Sequence, residues 1–155
     1  MSVAIAVTLA DAPLDPGAEL SAFCAVASGD GAVASFVGLT RGQASGGGAE
    51  VATLTLEAYR SVTLASMHAI ADDAAARFAV SALRIIHRAG TMQPGEPIVF
   101  VAASSPHRRA AFDAADYLMD RLKTEAIFWK REDGAGGATW IEPTGDDVRD
   151  RARWG

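Results

Sequence analysis

Apolar residues run from 3 to 9 at strand length, and Asp15-Pro16 then supplies an N-cap and first-turn proline ahead of Leu20, Phe23, Cys24 and Ala27 at helical spacing. On that stripe Cys24 is expected to be a small buried hydrophobe. Gly29-Asp30-Gly31 turns the chain into residues 32–37, an apolar run too brief for a helix. Residues 40–48, dense in glycine after Arg41, are the one low-complexity stretch and are expected to form a mobile loop. Between 51 and 59 the pattern alternates, with Thr53, Thr55 and Glu57 on one face and Leu54, Leu56 and Ala58 on the other. That alternation predicts a strand returning antiparallel to the preceding one.

Ser61 is placed to cap a helix carrying Leu64, Met67, His68, Ile70, Ala71, Ala74 and Phe78, and residues 82–87 follow as a strand. Gln93-Pro94-Gly95 reads as a turn, and 97–103 as a near-continuous apolar strand. A third helix begins after Ser104-Ser105-Pro106 and keeps its period through Ala111, Ala114, Ala115, Leu118, Met119 and Leu122 to about Lys123. Residues 127–132 and 138–142 read as the two arms of a hairpin, and 144–155 as a charged tail with one aromatic, Trp154. Hairpins interleaved with three main helices describe an α+β fold of mostly antiparallel strands, with residues 1–155 as a single domain.

Charge and composition narrow the function classes. The chain has 155 residues and 14 Lys+Arg against 19 Asp+Glu, a net charge of −5, which argues against a broad phosphate-wrapping face for nucleic acid. No apolar run approaches a bilayer span, and the first residues lack the basic start of a signal peptide, so a cytoplasmic protein is expected. The single cysteine excludes an internal disulfide and a thiol-rich metal site, and neither His68 nor His87 has a partner histidine at metal spacing. No metal or cofactor is expected.

Two local features point to chemistry. His107-Arg108-Arg109 opens the third helix, where the dipole already favours anions and cations are disfavoured, so a phosphate or carboxylate site is the favoured explanation over a solvated basic turn. Secondly, the only lysines in the chain are Lys123 and Lys130; every other cationic side chain apart from histidine is arginine. Lysine, unlike arginine, can give up its proton, and two neighbouring amines repel each other towards the neutral form, fitting one of them to act as a proton acceptor or nucleophile. Chance placement on a solvated face is the competing explanation. Arg41 leads the glycine-rich loop, while Phe36 and Met119 are read as core or as apolar walls.

Taken in order, residues 31–38 with Arg41, Leu56-Glu57-Ala58-Tyr59, Ser104-Ser105-Pro106-His107-Arg108 with Ala111-Phe112, and 122–132 with the Lys-x6-Lys spacing and its Phe128-Trp129 pair resemble the large, catalytic subunit of molybdopterin synthase. The resemblance implies an α/β hammerhead fold, a homodimer, and a small ubiquitin-like subunit bound at each end to give a heterotetramer. It implies sulfur transfer from that subunit's C-terminal Gly-Gly thiocarboxylate to cyclic pyranopterin monophosphate, in two rounds that build a dithiolene. Lys123 and Lys130 would be catalytic; His107 and Arg108 would hold the phosphate across the dimer; Arg41, Phe36 and Met119 would line the pocket, with Glu132 adjacent. The chain carries Ile127 where the family usually has proline, and Tyr59-Arg60 where many members have Tyr-Pro. No ubiquitin-like segment or terminal Gly-Gly is present, so the donor is expected in trans. A non-catalytic, anion- or pterin-binding dimeric module and a partner-presenting scaffold are the alternatives.

Overall fold

The computed structural model describes residues 2–42, 51–126, 128–134, 137–141 and 144–155; the side chains of 51, 52, 129–132 and 137–141 fall outside that description. The expected mobile loop at 43–48 and the Ile127 position lie outside the described residues. In chain order the elements are β1 (Ala4–Ala10), α1 (Pro16–Val26), β2 (Ala32–Leu39), β3 (Val51–Glu57), α2 (Arg60–Arg77), β4 (Ala82–Arg88), β5 (Gly90–Met92), β6 (Pro97–Ser105), α3 (Arg108–Glu125), β7 (Trp129–Gly134), β8 (Gly137–Ile141) and α4 (Gly145–Ala152). They form two sheets, ordered β1-β4-β6-β2 and β5-β3-β7-β8. Every pairing is antiparallel except β1 with β4, as the α+β expectation requires.

The first sheet is covered on both faces, which explains the continuous apolar run of β6. Val99, Val101 and Ala103 belong to the core under α2 and α3, whereas Phe100 and Ala102 pack with Phe23 and Ala27 of α1. On α3 the buried Ala111, Ala114, Ala115, Leu118 and Leu122 form the predicted stripe, and its small alanines let the helix lie close to β2 and β6. Asp15 caps α1 as expected, accepting a hydrogen bond from the Ala18 N–H at 3.1 Å, with Pro16 in the first turn.

Four expectations are corrected. β3 does not pair with β2: β2 pairs with β6, and β3 lies between β5 and β7 in the second sheet. The stretch joining β2 to β3, residues 40–50, exceeds ordinary hairpin-loop length and so does not force neighbouring strands together. Cys24 is exposed, because α1 meets the sheet through Phe23 and Ala27, and position 24 falls to one side of that line. Ser61 is not the cap of α2; Tyr59 occupies the N-cap, and the start is fixed by Arg60, which donates to the Leu9 carbonyl at 2.8 Å and pairs with Asp11 at 3.2 Å. Finally, the charged tail contains α4. A capping box links Thr144 and Asp147, and beyond the helix Trp154 sits edge-on to Phe78 and Tyr117 while its Nε1–H donates to Asp120 at 2.6 Å.

Candidate active site

The residues singled out in the sequence gather at two places, one at each end of α3. Lys123 occupies the last turn of the helix, where a cation is favoured by the exposed carbonyls. Beside it is a cavity of about 190 Å³ walled by Met119 and Leu122 of α3, Leu56 of β3, His87 of β4, and Ile98 and Val99 of β6, and closed by Phe128. The helix period explains the wall: 119, 122 and 123 fall on adjacent faces, so the buried stripe ends beside an amine. Lys130 stands opposite Leu56 in the β3–β7 register and Glu132 opposite Leu54. Strand pairing therefore brings the Lys130 backbone to the residue that lines the Lys123 cavity.

At the other end, Gly31, Pro106, His107, Arg108 and Arg109 surround an open depression. His107 is the N-cap, its side chain makes no capping bond, and the first turn contains no acidic residue. His107, Arg108 and Arg109 are exposed around free helix-start N–H groups, an arrangement suited to a phosphate. Gly31 makes room for it: a Cβ at this position would overlap the Pro106 carbonyl oxygen. Gly31→Ala is therefore expected to displace the Pro106-His107 segment and weaken binding of a phosphorylated ligand about tenfold, with the melting temperature as the control. Isothermal titration with the phosphorylated ligand measures it; unchanged affinity would show that the depression is not the anion site.

Within one chain these two places do not meet. His107 and Lys123 are sixteen residues apart on α3, a separation of about 24 Å at the helical rise. The edge strand β2 connects them. It begins opposite Ser105, beside the cationic helix start, and ends opposite Pro97, next to the Ile98 that walls the cavity. Arg41 follows its end, and the chain there is clamped: the Thr40 hydroxyl and N–H both donate to the Glu96 carbonyl, at 3.0 and 2.9 Å, while the Gly95 N–H donates to the Thr40 carbonyl at 2.7 Å. Arg41 itself is exposed, at the Lys123 end of the molecule. Phe36, midway along β2 opposite Val101, is 44 % exposed and is not part of the cavity wall.

A family model described as "MoaE protein" matches residues 9–125, from the end of β1 to the last residue of α3. The chain is 51 % identical to the molybdopterin synthase catalytic subunit of Caulobacter vibrioides over 148 residues, covering 96 % of each. The chain belongs to the MoaE family. The corresponding protein of Pseudomonas aeruginosa is 45 % identical over 97 % of this chain and 99 % of its own length. Among solved structures, the molybdopterin biosynthesis MoaE protein from Burkholderia ambifaria MC40-6 superposes with a TM-score of 0.80 at 34 % identity, covering 99 % of this chain and 98 % of that one. The MoaE match spans both ends of α3, with Arg41, His107, Arg108, Met119 and Lys123 inside it and the β7 residues Lys130 and Glu132 beyond it.

In the sequence His87 is weighed only against metal ligation and Phe128 only as part of a motif, and the fold adds both to the Lys123 cavity. The two rings lie 4.2 Å apart, and the His87 Nδ1 is 2.9 Å from the Arg88 carbonyl oxygen. One signal was available: His87 continues the buried Leu83 and Ile85 positions of β4, so a polar ring ends an otherwise apolar face. Among the described residues no group of acidic, histidine and cysteine side chains could hold a metal ion, and no helix is long and apolar enough to cross a membrane.

Proposed function

We propose that this chain is the catalytic subunit of a molybdopterin synthase acting in the cytoplasm, and that it moves sulfur from the C-terminal thiocarboxylate of a small ubiquitin-like subunit to cyclic pyranopterin monophosphate. The observation that carries the proposal is the Lys123 cavity at one end of α3, in a chain whose family match spans that end and the cationic start of the helix. Sulfur must come from outside. The lone Cys24 lies on α1, across the first sheet from the cavity, and supplies no thiol to it.

The sulfur of the thiocarboxylate bonds to an oxygen-bearing carbon of the pterin side chain as that carbon–oxygen bond breaks and its oxygen leaves as water or stays on the phosphate, and a second water then cuts the acyl–sulfur bond, leaving sulfur on the pterin and a carboxylate on the small subunit. A second round completes the dithiolene. Each step places negative charge on sulfur or oxygen, and the ammonium groups of Lys123 and Lys130 stabilise it or return a proton. His107 and Arg108 hold the cyclic phosphate, and Arg41 adds charge at the cavity's edge.

A homodimer completes the site. Among the described residues β2 is paired on one side only, and its Phe36, Val37 and Leu39 are 44, 38 and 57 % exposed, an apolar edge of the kind that isolated proteins normally blunt. Antiparallel pairing of β2 with its two-fold mate would place the His107 end of one chain beside the Lys123 end of the other. The pair then presents two sites, each built from both protomers, and each open to one small subunit.

Reconstitution tests the activity. Purified protein incubated with cyclic pyranopterin monophosphate and the thiocarboxylated small subunit is expected to yield molybdopterin, detected as its oxidised derivative by chromatography. Binding of both components without product would instead support a non-catalytic pterin-binding module.

A further inference from the structure

We infer that the buried Arg88–Glu96 ion pair positions Arg41 at the edge of the Lys123 cavity, which makes Arg88 and Glu96 positioning residues for the reaction; the inference rests on the sulfur-transfer function proposed above. β4 and β6 both wall the cavity, and their last paired residues are His87 and Val99. Beyond that pair the chain leaves the first sheet, lends β5 to the second through Met92 opposite Leu54, and returns at Pro97. Arg88 and Glu96 stand at the two ends of this excursion and close it, Nη2 to Oε1 at 3.2 Å, with side chains 8 and 18 % exposed. The other carboxylate oxygen accepts from the Gln93 N–H at 3.1 Å, so one side chain fixes both the base of the excursion and its turn.

Glu96 also holds the chain that leaves β2. Its carbonyl accepts both the N–H and the hydroxyl of Thr40, at 2.9 and 3.0 Å, and the Thr40 carbonyl accepts the Gly95 N–H at 2.7 Å. Gly95 has a φ of +86°, which residues with a side chain rarely adopt, so the turn that makes these bonds is written into the sequence. Arg41 is the next residue; it is exposed, and where its guanidinium can reach depends on where Thr40 is held. Burying an ion pair takes two charges from water and seldom stabilises a fold more than apolar side chains of the same size would. A pair that fixes a geometry has another reason to be there, and the geometry fixed here is that of the residue before Arg41. A guanidinium placed in advance meets the negative charge of the sulfur-transfer steps without first having to be ordered by substrate.

The test uses the complete complex of this chain with the small subunit and reads steady-state rates of molybdopterin formation. Arg88→Met combined with Glu96→Gln removes both charges together, so no buried charge is left uncompensated and the Gln93 N–H keeps an acceptor. This paired variant is expected to lower kcat/KM about tenfold, and Arg41→Ala at least as much. The decisive protein carries all three substitutions. If the pair acts through Arg41, its activity equals that of Arg41→Ala alone, because no guanidinium is left to misplace. Thr40→Val keeps the pair and removes only the hydroxyl bond to Glu96; its smaller loss, about threefold, should vanish in the Arg41→Ala background, and it carries the comparison if the paired variant melts early. Wild-type kinetics in a folded paired variant, in Thr40→Val or in Arg41→Ala would overturn the assignment. So would losses that multiply with that of Arg41→Ala, since the pair would then support the cavity as a whole. Absence of product from the wild-type complex would overturn the sulfur-transfer function itself, and the assignment with it.

Discussion

Lys123→Ala is expected to lower the rate of molybdopterin formation at least about 100-fold while leaving fold and partner binding intact. The structure separates these effects because Lys123 is exposed at the end of α3, where side-chain truncation alters stability within about 0.5 kcal/mol. The cavity walls Met119, Leu122 and Leu56 remain, so substrate shape is still matched and the loss should appear in kcat more than in KM. Lys123→Arg sharpens the test. Arginine keeps the charge but does not give up a proton and extends a planar fork, so retention of most activity would mean that charge alone is required, and loss comparable to alanine would mean that the amine's proton or its compact shape is used. A moderate weakening of pterin binding with no reaction in either protein would instead identify a binding module.

The local elements were legible because their signals are local. The Asp15-Pro16 start of α1, the alternation of β3 and the alanine stripe of α3 all follow from period and capping, and each element appears where these place it. What could not be read is how strands from different hairpins associate. The alternation of residues 51–57 fixes which face of β3 is buried, with Leu54 and Leu56 inside, but not whether that face joins β2 or starts a second sheet. α4 is a further case. Its eight residues offer no apolar stripe, and it is held instead by the Thr144–Asp147 capping box and by Arg151 and Trp154 reaching Glu125 and Asp120 of α3. The capping box was visible as Thr-x-x-Asp, whereas the receiving carboxylates were not.

The candidate site divides in the same manner. The lysines and the His107-Arg108-Arg109 start stand out by residue type, and α3 puts Lys123 in its last turn and the His107-Arg108-Arg109 cluster at its start. His87 is a single imidazole in an apolar strand, and only the packing of β4 beneath α3 and Phe128 gives it a cavity. The sequence also could not place the two ends relative to each other, because in the proposed dimer that relation is a property of a pair of chains.

That last point yields the second large effect. If every site takes Lys123 from one protomer and His107 with Arg108 from its partner, Lys123→Ala and Arg108→Ala homodimers are each inactive at both sites. A mixed dimer is different: one of its sites carries both substitutions and the other carries neither. Unfolding and refolding the two variants together in equal amounts gives mixed dimers as half of the population, so about a quarter of all sites should be intact, with about a quarter of wild-type activity. Mixing without exchange should restore nothing. The geometry leaves little room for a different result with the same dimer, since about 22 Å of α3 separates the two residues within a chain and exceeds the reach of either side chain. A site contained in one protomer predicts a different number. Each variant chain would then bear its own defect in every combination, and refolded mixtures would stay at the level of the parents.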